Sequence, residues 1–388
     1  MTRSPWQPGM ISHMSASDAI SLTRELLRFD TINPPGRERD CAHHAGALLE
    51  EWGFKVEYHE YEDTRTSVIA RAGGSDAQPP LCLTGHLDVV PLGTRKWSRD
   101  PFSGETDGDR LYGRGSSDMK AGVAAMLIAA RAFGKKLAGT PGVVLVLTAA
   151  EENGCIGSEH LAKLPQLMGR AGAIVVGEPT SNYPLVGHKG SIKLHAAFRG
   201  VSAHGSMPQL GVNAIYKAAR ATAKLEAFDF GAPPHPVMGA PTLNVGTFEG
   251  GSGVNLVPDA ARVGVDIRTV PGMDHAALLA RLQALAGEDA RFEVFSNLSP
   301  VWTPPNEEWV QRVFEICKPI LVEAPEPRTA PYMTDAANLL KVYEGAPTII
   351  LGPGEAGMAH QTDEYCSLER IRQSVAIYEA IIGDWCRA

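Results

Sequence analysis

The sequence predicts an α/β fold. A larger domain, built on a mixed and mostly parallel sheet flanked by helices, is interrupted by an inserted α+β domain of four strands and two helices. Three observations carry this expectation. Short apolar runs alternate with helical periodicity as far as residue 180, the pattern of strands buried on both faces. Three of those runs end in polar tips, HLD, EEN and GEP. Near residue 186 the apolar runs give way to polar–apolar alternation, the pattern of strands that bury one face.

Taken in order, residues 17–29 and 39–52 have helical spacing, and FKVEYHEY (54–61) and TSVIAR (66–71) read as strands. LCLTGHLDVV (81–90) is a buried strand running into a polar tip. DMKAGVAAMLIAARAF (118–133) is a helix, and GVVLVLTAAEEN (142–153) and AGAIVVGEPT (171–180) repeat the strand-and-tip design. Beyond 186, the segments 190–200, 241–250, 261–270 and 291–295 are strands, with helices at 211–228 and 275–287. The first of these helices places Ile215, Ala218, Ala219 and Leu225 on one face, with Thr222 as the polar member of the stripe. EWVQRVFEICKPIL (308–321) returns to helix, and APTIILGPG (346–354) is a buried strand with a Gly-rich tip. The chain therefore divides into a loose N-terminal tail (1–16), a larger domain (17–186 and 298–388) and an insertion (187–297).

A length of 388 residues fits two domains. Lys and Arg number 36 against 44 Asp and Glu, a net charge of −8 without a long run of like charge, which argues against a nucleic-acid partner. The most apolar stretches, 121–130 and 142–150, fall short of the ~18–20 residues that span a bilayer, so no membrane association is expected. The first twenty residues lack the apolar centre of a signal peptide. Cys41, Cys82, Cys155, Cys317, Cys366 and Cys386 form no C-x-x-C and read as reduced thiols of a cytoplasmic protein.

Open α/β sheets bind ligands beyond the carboxyl ends of their strands, which is where the polar tips lie. His86 and Asp88 alternate with Leu87 and share one face of an extended chain. A metal-binding imidazole donates its other ring N–H to a carboxylate or carbonyl, a role open to Asp88. Glu151 and Glu152 are delivered by an apolar strand, and two neighbouring carboxylates that point apart can serve as one ligand and one base. Glu178 stands beside Pro179 at the third tip, and His360 follows the Gly-rich LGPGEAG. Asp118 lies in GRGSSDMKAG (113–122). Small residues there suit either an N-cap of the following helix or a carboxylate in a place too tight for larger neighbours. Each residue alone also has an ordinary reading as a strand-end histidine, a solvated acid or a loop histidine. Together, two histidines and five carboxylates on strand-end loops match a two-metal site with its base and its orienting group. No P-loop, G-x-S-x-G or H-E-x-x-H motif competes.

TGHLDVVP, GRGSSDMKAG, TAAEENG, GEPT, HKG, VSAHGSMP, GVNAI and AHQTDEY occur in the order found in the di-zinc metallopeptidases that include acetylornithine deacetylase, succinyl-diaminopimelate desuccinylase, aminoacylase and glutamate carboxypeptidase. The resemblance runs from about residue 17 to 385 and looks strongest to the acetylornithine deacetylase branch. It implies a metal-dependent hydrolase of amide bonds in N-acyl amino acids. His86, Asp118 and Glu178 would bind one divalent ion, and Asp118, Glu152 and His360 the other, with Asp118 bridging. The ions would be zinc, with cobalt or manganese as alternatives. Glu151 would be the general base, and Asp88 would orient His86. In the insertion, His204 would meet the substrate carbonyl from a partner subunit, and Asn255 and Arg268 would contact a substrate carboxylate. The resemblance also implies a cis peptide after Asp118 and a homodimer formed through the insertion, which would act as lid and dimerisation domain. Two segments depart from the pattern. Ser67 stands where many members have Asn, and APYMTDAANL (330–339), expected to contribute to the substrate pocket, matches loosely and leaves the acyl preference open. A carboxypeptidase or dipeptidase, a hydrolase of another C–N bond, and a non-catalytic binding protein are the other readings.

Overall fold

The computed structural model describes residues 13–75, 77–321 and 323–387. These form two compact units: one holds the chain up to Gly187 together with Trp302–Ala330 and the residues from Thr334 onward, the other His188–Val301 and Pro331–Met333.

In the first unit, β-branched and leucine-rich runs make a six-stranded sheet in the order Lys55–Glu62, Arg65–Ala72, Val143–Thr148, Leu81–His86, Ala173–Val176, Thr348–Ile350. The first three strands pair antiparallel and the last four pair parallel. The parallel strands are the ones without an alternating pattern: Val143–Thr148, Leu81–His86 and Ala173–Val176 are buried at every position. Helices on both faces require this apolar continuity. The register sets His86 opposite Thr148 and Thr84 opposite Val176, so the three polar tips emerge side by side.

The helix Ala121–Phe133 has ten consecutive buried residues, Ala121 to Ala130, and packs between the sheet and the helices His13–Leu27 and Leu368–Arg387. A helix apolar all round is stable only when enclosed in this way. Its small residues permit a close approach: a Cβ on Gly122 would lie 2.2 Å from the Gly177 carbonyl oxygen.

The second unit carries a four-stranded antiparallel sheet in the order Thr242–Gly250, Ala260–Thr269, Gly190–Arg199, Ala290–Leu298. Two helices, Ala214–Glu226 and His275–Ala286, bury their apolar stripes against it. Each begins at a side-chain cap. Asn213 accepts the Tyr216 N–H, and Asp274 accepts those of Ala276 and Ala277.

Several boundaries differ from the sequence expectations. The first helix starts at His13, four residues before the expected start, and residues 1–12 of the expected tail lie outside the described residues. The helical run expected from Asp118 is interrupted: Ser116–Lys120 forms a separate wide turn, and regular helix begins at Ala121. Asp118, with φ and ψ of −121° and 91°, is not the N-cap of that helix, since the position falls to Lys120 two residues later. The buried stripe of Ala214–Glu226 is Ala214, Ala218, Ala221 and Leu225. Ala219 is exposed, and Ile215 and Thr222 lie at the margin, because the sheet meets the helix one position round from the face expected. The helix from Glu308 ends at Cys317. All six cysteines are unpaired, and no described helix is long and apolar enough to cross a membrane.

The contact between Gly122 and Gly177 gives a stability test. Gly122→Ala is expected to cost about 1–3 kcal/mol, the usual penalty for forcing atoms into a packed interior. Denaturant unfolding measures it, and a change below about 0.5 kcal/mol, the scale of surface substitutions, would mean that helix and strand do not meet this closely.

Candidate functional site

Three adjacent parallel strands end at one edge of the sheet, and the site is built there. His86 closes its strand and is almost fully buried. Its Nδ1 faces the Asp88 backbone carbonyl at 2.9 Å, so Nδ1 carries a proton and Nε2 is the nitrogen available to an ion. The Asp88 carboxylate stands farther off, 3.5 Å from Nδ1. The expected orienting contact therefore comes first from the Asp88 main chain. The carboxylate has other partners: its oxygens accept the N–H groups of Glu151 at 3.0 Å and Glu152 at 3.1 Å, and the Asn33 side-chain amide at 2.7 Å. Burial works against its charge, but His86, Asn33 and the Glu151 N–H outweigh it and hold its pKa below the usual carboxylate value.

Asp88 thus fixes the bend at which the Val143–Thr148 strand gives up its two glutamates. Other buried groups brace the same bend. Glu38 accepts the Ala150 N–H at 3.2 Å while paired with Arg65 at 2.7 Å, and the Ser67 hydroxyl accepts the Ala149 N–H at 3.1 Å. Ala150 is left with φ of +56°. The two carboxylates then diverge. Glu152 meets His360 Nε2 at 3.0 Å, whereas Glu151 turns toward the Cys155 thiol at 3.3 Å.

Asp118 spans the two histidines: Oδ1 lies 3.1 Å from His86 Nε2 and Oδ2 lies 3.4 Å from His360 Nε2. Its peptide to Met119 is cis, as the resemblance implies. Gly115, at φ +88°, turns the chain into this segment. Glu178 Oε1 is 3.9 Å from His86 Nε2. One ligand atom each from His86, Asp118 and Glu152, and one each from His86, Glu151 and Glu178, fall within 4.8 Å of one another.

The charges in this cluster do not balance by themselves. Burial raises the pKa values of Glu178, Glu151 and Glu152, reinforced by neighbouring carboxylates. Burial opposes the charge on Asp118 too, but hydrogen bonds from His360 and His86 pull its pKa far below the usual range. The nearby cations are engaged elsewhere: Lys120 donates to the carbonyls of Leu26 and Phe29, and Arg65 to Glu38. Four converging carboxylates and two imidazoles, with no lysine or arginine to offset them, are a donor set suited to zinc, cobalt or manganese. The residues present fit divalent ions.

The insertion's candidates lie in the second unit. His204 and Asn255 are neighbours there, since the Gly205 N–H donates to the Asn255 carbonyl at 2.7 Å and His204 bridges Leu256. His204 Nδ1 accepts the Ser206 N–H at 3.2 Å, which leaves Nε2 as a donor. Arg268 sits near the far end of the strand Ala260–Thr269, eight residues beyond Ala260 and so ~26 Å along an extended chain. Its guanidinium pairs with Asp266: Nη2 donates to Oδ2 at 3.0 Å, and Nε lies 2.9 Å from Oδ1.

Other residues of the site escaped the sequence reading. Asn33 in NPPG donates its side-chain amide to the Asp88 carboxylate, and Glu364, inside the quoted string AHQTDEY, accepts backbone N–H groups at the cluster. The segment expected to shape the pocket also braces it. Asp335 is buried against the Thr148 hydroxyl, and Asn338 donates to the Cys155 carbonyl and Ser158.

The model of peptidase family M20/M25/M40 matches residues 82–384. Acetylornithine deacetylase of Klebsiella pneumoniae (strain 342) is 32% identical over 95% of this chain and 97% of its own. Among solved structures, an M20 family metallo-carboxypeptidase from Sulfolobus solfataricus aligns with a TM-score of 0.78 at 20% identity, covering 96% of this chain and 100% of that one. An aminopeptidase from Bacillus cereus aligns with a TM-score of 0.75 at 21% identity, covering 95% and 98%. These structural likenesses bear on the fold.

Hydrogen bonds to Asp118 and Glu152 push the pKa of His360 up to about 10 in the metal-free chain. The stabilisation they give is complete below the ordinary histidine value near 6.5 and is lost as pH rises through about 10. At pH 7 the imidazole therefore holds a proton that an arriving ion must displace. Calorimetric titration with zinc is expected to give heats that vary with the buffer's ionisation enthalpy. Heats independent of buffer would show that no proton leaves.

Proposed function

We propose that this chain, which belongs to peptidase family M20/M25/M40 and is a metal-dependent hydrolase of amide or peptide bonds, acts on N-acyl amino acids that carry a free carboxylate. The observation that carries this reading is the convergence of His86, Asp118, Glu152, Glu178 and His360 around Glu151 at three adjacent strand ends. His86, Asp118 and Glu178 would hold one ion and Asp118, Glu152 and His360 the other. Divalent ions, zinc first and cobalt or manganese in its place, supply acidified water and a polarised carbonyl when bound.

Glu151 takes a proton from the attacking water as the water oxygen bonds to the amide carbon. Burial raises its pKa from the ordinary carboxylate value, which makes it a better proton acceptor than an exposed glutamate. His204 donates to the carbonyl oxygen as charge develops there, and its free Nε2–H supports that role. Glu151 then passes the proton to the amide nitrogen as the C–N bond breaks, releasing a carboxylic acid and an amino acid. Arg268 holds the substrate carboxylate by exchanging Asp266 for it, and Asn255, a neighbour of His204, would join it from the partner copy. Arg268 lies ~26 Å along the strand from Ala260, the end to which backbone hydrogen bonds tie the His204–Asn255 region, which argues against one copy's His204 and Arg268 meeting a single small substrate. That distance supports a homodimer through residues 187–297 in which the partner copy supplies His204.

Glu151→Gln is expected to lower kcat by about 10²–10⁴-fold with ion content unchanged. Near-normal turnover with ions bound would remove Glu151 as base. Mixing His204→Ala with Glu151→Gln protein, each inactive alone, is expected to restore about a quarter of wild-type activity, since half of randomly paired dimers carry one intact site. No recovery on subunit exchange would place His204 in the same copy as the base. Amine release across N-acyl amino acids and dipeptides, with and without chelator, assigns the substrate. Chelator-sensitive release from N-acetylornithine above the rest is expected, and preference for dipeptides would move the chain to the peptidase branch.

A further inference from the structure

We propose that Arg114 and Glu364 are a positioning pair that fixes the Asp118 turn against the His360 loop, and so bears more on the ion position that His360 serves than on the one that His86 and Glu178 serve. The proposal rests on the two-ion reading of the cluster above.

Both residues are buried, Glu364 completely and Arg114 to within 2%, and they meet at 2.6 Å. A buried ion pair is weak evidence for stability by itself, so what else it holds decides its purpose. Glu364 Oε1 accepts the N–H groups of Ser117 at 2.8 Å and of Asp118 itself at 3.0 Å. Oε2 accepts the Gly115 N–H at 3.0 Å as well as the Arg114 guanidinium. Arg114 donates in turn to the carbonyls of Gln361 at 3.2 Å and His360 at 3.4 Å. The contacts are reciprocal. A residue from the His360 loop grips the backbone of the Asp118 turn, and a residue from the Asp118 turn grips the backbone of the His360 loop.

The adjoining chain reinforces this link. Tyr365 pairs with Tyr112 across a short antiparallel ladder, the Gly113 N–H donates to the Glu364 carbonyl at 2.9 Å, and the Ser117 hydroxyl donates to the Tyr365 carbonyl at 2.7 Å. His360 needs such support, because it sits on a loop at φ +65° and is half exposed. His86 and Glu178 do not: they stand at the ends of neighbouring strands, and the sheet register places them. Loosening the pair therefore frees His360 from Asp118 and Glu152 while His86 and Glu178 stay in place.

Glu364→Gln tests this with little change of shape. Four donors converge on the two oxygens, and an amide in either orientation turns its NH₂ toward two of them. Cobalt binding to the full chain, followed by equilibrium dialysis with elemental analysis, gives both affinities. The two affinities are expected to change unequally, one falling about 10–100-fold, the usual effect of removing a group that orients a ligand, and the other falling less. Arg114→Lys, which keeps the charge but loses the fork, is expected to shift the same affinity less, and it carries the test if Glu364→Gln does not fold. Two ions bound with wild-type affinity in the variants overturns the pairing alone. Equal weakening of both ions also overturns it, because a merely structural pair would act on the whole site. A wild-type protein that takes up no cobalt overturns the two-ion reading and this inference with it.

Discussion

The constraint on which this structure depends is a concentration of negative charge where three buried strands end. Asp118, Glu151, Glu152 and Glu178 converge beside two imidazoles, with the nearby lysine and arginine engaged elsewhere. Carboxylates placed so closely resist ionisation unless cations or hydrogen bonds compensate them. The surrounding architecture answers with a second set of acids whose carboxylates hold the backbone around the cluster. Asp88 accepts the N–H groups of Glu151 and Glu152, Glu38 that of Ala150, and Glu364 those of Gly115, Ser117 and Asp118. Each cluster acid except Glu178 thus has its backbone held by an acid outside the cluster, directly or through a neighbour. Glu178 needs none, since its strand and the Gly122–Gly177 contact fix it.

Much of this was legible in the sequence because it is periodic or tip-like. Fully buried strands such as VVLVLT announce parallel pairing, and an acid or histidine immediately after such a run has few places to go but the sheet edge. His86, Glu151, Glu152 and Glu178 follow that logic. Asp118 and His360 lie on turns whose course no periodicity encodes, and their convergence was implied by a family resemblance. The bracing residues were less legible still. Glu38 and Glu364 act through backbone N–H groups distant in sequence and Asn33 through the Asp88 carboxylate, and nothing local to Glu38 separates it from any acid near a helix start. The helix Ala214–Glu226 failed in a simpler way: alanines on two adjacent faces give a stripe whose direction only the neighbouring sheet decides.

The second unit shows how far a side chain's type can mislead about its state. The resemblance implies that Arg268 contacts a substrate carboxylate, but the alternation that puts residues two apart on one face also puts Asp266 beside it. His204, by contrast, is held by its own turn through Ser206 and presents the ring nitrogen that a donor role requires.

The Asp266–Arg268 pair has a consequence for selectivity. A carboxylate that reaches this guanidinium enters as a replacement and not as a first occupant. The event resembles ion exchange on a resin, in which one anion leaves as another arrives and the net Coulombic gain is small. Attraction to the arginine then does little to enrich the surface in stray anions, since each must outcompete a tethered rival at high local concentration. Under the role proposed for Arg268, only a ligand with further contacts of its own would tip the exchange, and Asp266 would act as a built-in threshold that favours carboxylates attached to the rest of a substrate.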